Sequence, residues 1–493
     1  MKYMIFVPPG GYFAERWSKG SFMPPLGIIY IATVLKQNGV DVELVPAELL
    51  NMSWQEIARK IETEKPDIVG VTSTTENRFQ AFKLLKIAKK ARPQVWTVFG
   101  GPHASMAARD TLEHIPYIDI VARNEGEITS LEMVKALETS DPYTNLKKVT
   151  GITFRDADGT VIENPRRPYI KPLDLIPIPD RELIQFRKYN FSIEIPGKGK
   201  VPALNMMTSR GCPFNCNFCA TPVNWGRAVR MHSIDRVIEE IELGMKKYNI
   251  QAVWFYDDTF DANPKRLEKL CDIFIERKYN INWYAEVRVD ILTKPLLEKM
   301  VKSGLYYLSF GVEAGSERVR KEIIRKNVDL EQVRNAIKWA NELGITPNPF
   351  FIFSHPTETW EEAQETIKLI EEFSPYSDIS VSILHVYPGT DLEKTAIELG
   401  VIPGDFTWTR KRDSRIITLP AAQGDVPLFK HLLSWAQISE LIFRWNLAQK
   451  KVSIWRKAIL AIKNIRSWKD IPRYAIMFFV YLKLKIKKAL GWM

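Results

Sequence analysis

The sequence predicts an α/β chain in three parts: an N-terminal doubly wound (Rossmann-like) domain, a partial (β/α)6 barrel, and a helical, basic C-terminal region. Short Val- and Ile-rich apolar runs alternate with amphipathic stretches over residues 1–140, and the alternation resumes over residues 204–400. Apolar residues make up 45% and charged residues 26% of 493, which excludes a disordered or fibrous polymer and exceeds what one core organises. The net charge of +11 is confined: residues 441–493 hold thirteen Lys or Arg against one acid, leaving −1 for everything before. A chain-wide nucleic-acid-binding charge is thereby excluded, and no nucleic-acid module is recognisable.

Residues 4–8, 42–45, 67–73, 95–100 and 118–122 read as short strands, nearly continuous in apolar character, as parallel strands buried on both faces require. The clearest helix between them is residues 26–38, opened by Pro24-Pro25 and stopped by Gly39. Five βα units make a doubly wound sheet, whose ligands lie beyond the C-terminal ends of its strands. The residues there are small or polar: Ser73 and Thr74 after the third strand, Gly100-Gly101-Pro102-His103 after the fourth, Glu125-Gly126 after the fifth. Small residues at neighbouring strand ends let backbone approach a flat or elongated ligand, although a tight turn also explains a lone Gly-Gly.

Residues 141–203 carry a hairpin turn at Asp156-Ala157-Asp158-Gly159 and then repeated prolines, the pattern of a small hairpin followed by an extended linker. From there six strands are predicted, over residues 205–209, 252–258, 283–289, 306–313, 349–353 and 379–386. Ser233 is placed to cap a helix with Ile234, Val237, Ile238, Ile241 and Met245 on one face, and Thr359 with Glu362 has capping-box spacing. Functional residues of such a barrel collect at the C-terminal ends of its strands.

Four cysteines in so long a chain make no disulfide framework, and Cys212, Cys216 and Cys219 fall within eight residues, directly after the first barrel strand. Cluster ligation in a reducing compartment fits them. Their spacing lets one loop put three thiolates on three corners of a [4Fe–4S] cubane and leaves the fourth iron open. Structural zinc takes four ligands, and no second knuckle follows; zinc and three unligated thiols are the alternatives. Cys271, in a helical pattern, reads as a small buried side chain. The N-terminal apolar run stops at Pro8-Pro9, shorter than a signal peptide, so a cytoplasmic protein is expected.

The segment Gly211-Cys212-Pro213-Phe214-Asn215-Cys216-Asn217-Phe218-Cys219 resembles the signature of the radical S-adenosylmethionine (SAM) superfamily. The resemblance implies that SAM chelates the open iron and is cleaved to a 5′-deoxyadenosyl radical, with Phe218, Asp257, Asp258, Arg288 and Glu313 in SAM binding. A structural ion pair with Glu286 or Asp290 is an equal reading of Arg288. Strand five departs from the family's Gly-Leu-Pro-Gly-Glu-Thr run, with Ser354-His355-Pro356-Thr357-Glu358-Thr359 in its place. The ordered strand ends of residues 1–140 resemble the cobalamin-binding domain that precedes some radical SAM barrels. On that resemblance Ser73, Thr74, Gly100, Gly101, Pro102, His103, Glu125 and Gly126 surround cobalamin, and no Asp-x-His-x-x-Gly motif supplies a lower axial histidine after strand one.

The domain expectation is therefore residues 1–140 for cobalamin, 141–203 as hairpin and linker, 204–400 as the radical SAM barrel, and 401–493 as the C-terminal region. Its apolar face (Ile454, Ala458, Ile462, Ile465), the eight-residue apolar run 475–482, and Trp445, Trp455, Trp468 and Trp492 among basic groups suit peripheral contact with an anionic membrane face. A helical cap on the barrel is the other reading. The expected reaction is methyl transfer to an unactivated carbon of a hydrophobic or lipid substrate, with ring formation on a tetrapyrrole or isoprenoid as the alternative. Both need a one-electron reductant such as a ferredoxin or flavodoxin; a non-catalytic cobalamin or cluster sensor is the reading from another class.

Overall fold

The computed structural model describes residues 1–9, 22–418 and 425–449. Strands β1 (Lys2–Val7), β2 (Asp41–Pro46), β3 (Ile68–Thr72), β4 (Trp96–Gly100) and β5 (Ile120–Ala122) form a parallel sheet in the order β2-β1-β3-β4-β5. Alternate residues of β1 enter different layers, Tyr3 and Ile5 one helical layer and Met4 and Phe6 the other, which is why the strand is apolar throughout. The helix Leu26–Gln37 ends as expected before Gly39, which adopts φ +78°.

The hairpin β6 (Ile152–Arg155) and β7 (Val161–Glu163) turns at Gly159, as the sequence predicts, and extends this sheet. It pairs antiparallel to β5, covering an edge that a three-residue strand would leave open.

A second sheet runs β8-β9-β12-β13-β14-β15-β16, built from β8 (Ser192–Ile195), β9 (Gly199–Met206), β12 (Ala252–Phe255), β13 (Asn282–Val287), β14 (Leu305–Glu313), β15 (Thr346–Phe353) and β16 (Ser380–Ile383). All are parallel except β8; a separate two-stranded ladder, β10 (Ser209–Arg210) with β11 (Arg230–Met231), frames the cysteine segment. Outward residues such as Met206, Phe255, Trp283, Phe310 and Phe353 pack beneath the helices. Inward residues Ala252 and Trp254 are closed off at one end by Phe191, Ile195 and Val201, with Tyr284 and Tyr306 against them. This is a partial barrel with a plugged base. Ser233 and Thr359 cap their helices as predicted, Thr359 in a complete capping box with Glu362.

The helix Trp435–Ala448 packs on the barrel: Arg444 pairs with Glu371 (2.6 Å), and Trp445 donates from Nε1 to the Ile379 carbonyl (3.1 Å). Trp445 thus serves the cap reading. The expected apolar face from Ile454 to Ile465, the run 475–482, and Trp455, Trp468 and Trp492 lie outside the described residues. Among the described residues no helix is long and apolar enough to cross a membrane.

Candidate active site

The cysteine loop leaves β10 through Gly211, at φ +98°, where a Cβ would meet the Ala228 carbonyl oxygen. Its backbone is tied at both ends, by Cys212 N to the Gly226 carbonyl (3.3 Å) and Cys219 N to the Cys216 carbonyl (3.2 Å). Asn217 pins the middle, donating from Nδ2 to the Ile323 carbonyl (2.7 Å). Phe218 wedges between Leu384, Val386 and Phe429 on one side and Ala314, Val319 and Ile324 on the other.

The three thiols are free and half-buried, and Cys212 Sγ lies 3.3 Å from Thr259 Oγ1. Burial pushes the Cys219 thiol up to about 11 and that of Cys216 upward, so cluster assembly must displace protons. Among the described residues no three His, Cys, Asp or Glu side chains are grouped to hold one metal ion; a cubane takes each sulfur on a different iron and needs no such convergence. The donor set, three sulfurs on one braced loop, fits a [4Fe–4S] cluster.

Around this loop the strand ends divide into two kinds of acid. Asp257 is buried and fully engaged, accepting from Thr208 N (2.7 Å), Thr208 Oγ1 (2.6 Å) and Ser209 Oγ (2.6 Å). These bonds brace the start of the cysteine loop. Asp258, held by Thr221 Oγ1 (2.8 Å), has its carboxyl pushed up to about 6 by burial and by Asp257. Glu313, in left-handed backbone, accepts from Lys326 Nζ (2.6 Å), and the pair folds over Gly311, where any side chain would strike both.

Arg288 forms a two-pronged pair with Asp290 (2.9 and 2.7 Å), its guanidinium carbon 3.4 Å from the Phe214 ring centroid in the cysteine loop. The ion-pair reading of Arg288 is the one the structure displays. Lys326 carries no sequence signal, and Glu286, named from the sequence only as a possible partner of Arg288, is not bonded to it. Glu286 follows β13's inward register beside Ser309, open to solvent yet ringed by protein, and its carboxyl is pushed up to about 7 by burial and by Asp258.

Because Glu286 holds its proton more tightly folded than unfolded, its contribution to stability falls as pH rises from about 4.5 to about 7. The apo protein with Glu286→Gln is expected to match the parent near pH 4 and to exceed it at pH 8. Urea midpoints at the two pH values check this; a parent that is the more stable at pH 8 would contradict it.

The departure on strand five keeps a turn of unusual backbone. Ser354 (φ +74°) and Thr357 (φ +55°) adopt left-handed conformations where the family run has glycine. Glu358 stabilises the turn by accepting from Ser354 N (2.6 Å) and His355 N (3.0 Å). His355 is a structural histidine, bonded through Nε2 to the Ile352 carbonyl (3.0 Å) and lowered to about 4 by burial. A β-branched residue in this region is strained, but Thr357 Oγ1 accepts from Arg318 Nη1 (3.2 Å) and glycine frees the unfolded chain, so Thr357→Gly is expected to change stability by no more than about 0.5 kcal/mol in urea unfolding.

At the other predicted locus, Gly101 (φ +97°) lies so close to Ser73 that a Cβ would meet both its backbone N and O. Ser73 N donates to the Gly100 carbonyl (2.9 Å), closing β3 and β4 into a smooth shelf with Thr74, Gly100, Gly101 and Pro102 accessible along it. That close approach of backbone at Gly101, which any Cβ would fill, fits a cradle for cobalamin. Ser73 and His103 stand behind it: His103 is fully buried between Phe99 and Trp408, bonded through Nδ1 to Thr75 Oγ1 (3.1 Å), and held neutral by burial.

Glu125 and Gly126 lie at the start of the helix after β5. Glu125 is consumed by Arg210, Arg230 and the Ile170 amide, and Gly126 lets Ile31 pack against its helix. The two loci adjoin. Asn124 Nδ2 donates to Val223 O (3.2 Å) and Asn224 O (3.0 Å), in the helix Thr221–Trp225 that follows Cys219. Arg78, fully buried and invisible to motif reading, ties the domain to the segment after the barrel through the Trp408 carbonyl (2.7 Å).

With this geometry, comparison with known proteins is direct. A model of the radical SAM superfamily matches residues 206–370, and one of the B12 binding domain matches residues 18–134. An uncharacterized methyltransferase of Pyrococcus horikoshii, PH0819, is 35% identical over 398 residues, 80% of this chain and 83% of that protein. Anaerobic magnesium-protoporphyrin IX monomethyl ester cyclase of Rubrivivax gelatinosus is 32% identical over 375 residues, 76% of this chain and 66% of that protein. Among solved structures, OxsB with aqua-cobalamin and SAM bound aligns with TM-score 0.70 at 17% identity, covering 98% of this chain and 72% of that one. The radical SAM methyltransferase TsrM of Kitasatospora setae aligns with TM-score 0.69 at 14% identity, covering 90% and 89%. These two likenesses establish the shared fold. By its extended identity to the Pyrococcus protein and its two domain matches, the chain belongs to the cobalamin-binding radical SAM enzymes, whose cofactors are a [4Fe–4S] cluster, SAM and cobalamin.

Proposed function

We propose that this enzyme transfers a methyl group from cobalamin to an unactivated carbon of a hydrophobic substrate. The observation that carries the reading is the junction at Asn124, which is bonded through Ser105 to the Gly101 carbonyl and directly to the helix that follows the cysteine loop. A methyl carrier and a radical source must share a chamber, because a carbon radical has to meet its partner in a near-attack geometry. When bound, the cluster with SAM supplies a 5′-deoxyadenosyl radical, and cobalamin supplies the methyl group.

In this reading Cys212, Cys216 and Cys219 hold the cluster, and Asp258, Glu286 and Glu313 surround the cationic sulfonium and ammonium of SAM. Phe218 and Arg288 hold the loop in shape, Arg288 by lying on Phe214, and Asp257 holds its first residues. Thr74, Gly100, Gly101 and Pro102 seat cobalamin, with Ser73 and His103 fixing the shelf from behind. The aromatic lumen floor of Trp254, Tyr284 and Tyr306 supports an apolar substrate and excludes water.

Beyond the helix packed on the barrel, the basic, aromatic residues of 450–493 would bring the enzyme to an anionic membrane face, where a lipid substrate and a ferredoxin or flavodoxin reductant are both accessible. A second reading, oxidative ring formation, is favoured by the 32% identity with the Rubrivivax cyclase. Anaerobically reconstituted enzyme given CD3-labelled SAM, a strong reductant and a lipid extract separates them. A product heavier by a CD3 group supports methyl transfer, loss of hydrogens without added carbon supports ring formation, and absence of 5′-deoxyadenosine release supports a sensor.

A further inference from the structure

A buried cluster of four charges joins the loop after β5 to the root of the cysteine loop, and neither cofactor site uses it. Arg210, in β10 and two residues before Cys212, donates from Nη1 to Glu125 Oε1 (2.8 Å) and from Nη2 to Glu127 Oε1 (2.6 Å). Arg230, its partner on β11, donates to the same Glu125 oxygen (2.7 Å) and to the Ile170 carbonyl (3.0 Å). The second Glu125 oxygen accepts from Ile170 N (2.7 Å). The four side chains are between 2% and 6% exposed, and the guanidinium carbons lie 4.9 Å from the Trp225 ring (Arg210) and 4.6 Å from the Tyr169 ring (Arg230).

Two cations and two anions balance, so the cluster is stable only complete; a lost member strands a charge away from water. Its position gives it consequence. Ser105 Oγ donates to the Gly101 carbonyl (3.0 Å) and accepts from Asn124 N (2.7 Å), so the cobalamin shelf is linked to the residue before Glu125. Arg210 and Arg230 flank the two ends of the cysteine loop. Polar contacts and two short stretches of backbone therefore connect Gly101 to Arg210, two residues before Cys212.

We propose that Glu125, Glu127, Arg210 and Arg230 are positioning residues that lock the cysteine loop to the cobalamin shelf and so set the separation of the two cofactors. The proposal rests on the two-cofactor reading above. Its test uses the full-length protein loaded anaerobically with iron, sulfide and cobalamin, assayed for both contents, then reduced to the paramagnetic cluster and cob(II)alamin. Pulsed electron paramagnetic resonance then reads the distribution of distances between the two spins.

Glu127→Gln is expected to keep normal iron and cobalamin contents and to broaden that distribution about two-fold. Arg210→Lys keeps the cation but loses the two-pronged fork, and is expected to broaden it less. A parent-like distribution in either loaded variant overturns the proposal. A parent that takes up no cobalamin, or whose cluster signal ignores SAM, sinks the two-cofactor reading instead. If neither variant loads, hydrogen exchange on the parent decides: the amides of Ile170 and Cys212 should open with a common free energy, and independent, faster opening at Cys212 overturns the clamp.

Discussion

A Cys216→Ala enzyme, reconstituted anaerobically, is expected to lose its [4Fe–4S] cluster and all 5′-deoxyadenosine release, a fall of at least ~10³-fold in SAM cleavage, equivalent to about 4 kcal/mol of barrier. Two remaining sulfurs cannot hold three corners of a cubane, and among the described residues the fourth cysteine does not replace the third. The fourth cysteine, Cys271, is buried in the helix Pro264–Glu276, within the core beneath the barrel's outer face. Cys271→Ser is accordingly expected to leave cluster and cleavage unchanged. Iron content, the spectrum of the reduced cluster and chromatography of 5′-deoxyadenosine measure the effect. Zinc in the parent, or iron whose signal ignores SAM, would remove the basis for the whole site.

The second large effect is expected at Asp257. Asp257→Ala leaves Thr208 N, Thr208 Oγ1 and Ser209 Oγ facing a cavity, and takes a counter-charge from Arg266, which bonds Thr208 Oγ1 (3.3 Å) and the His232 carbonyl (3.0 Å). Unmet buried donors cost on the order of 3 kcal/mol in total, so the urea midpoint should fall and, with the loop root loosened, iron content should fall by about half or more. Asp257→Asn keeps an acceptor for Thr208 N while the hydroxyls reorient, and should lose only about 1 kcal/mol. The alternative, in which Asp257 touches SAM, has a different signature: full iron content and undiminished stability in Asp257→Ala, with weaker SAM binding alone.

These expectations differ from what motif reading assigns, and the reason is visible residue by residue. Phe218, Asp257 and Glu125 each stand at a strand end or in a signature where a ligand role is the natural reading. In the fold Phe218 packs between two apolar clusters, Asp257 accepts from Thr208 and Ser209, and Glu125 accepts from Arg210, 85 positions away in the chain. Arg78 carried no sequence signal, since an arginine opening a helix is ordinary until its burial against Trp408 is known.

From the sequence alone came the features that consecutive residues encode. They are the three-thiol loop at Cys212, Cys216 and Cys219, the two alternating βα series, the caps at Ser233 and Thr359, and the glycine shelf at Gly100-Gly101. Tertiary structure alone decided the strand order β2-β1-β3-β4-β5, the addition of the β6–β7 hairpin to the first sheet, the pairing of Glu313 with Lys326, and the closure of Glu125 and Glu127 on two arginines. Spacing along a loop or helix is a local property of backbone geometry. The partner of a buried charge is chosen by desolvation and charge balance summed over segments far apart in the chain, and no local window contains that sum.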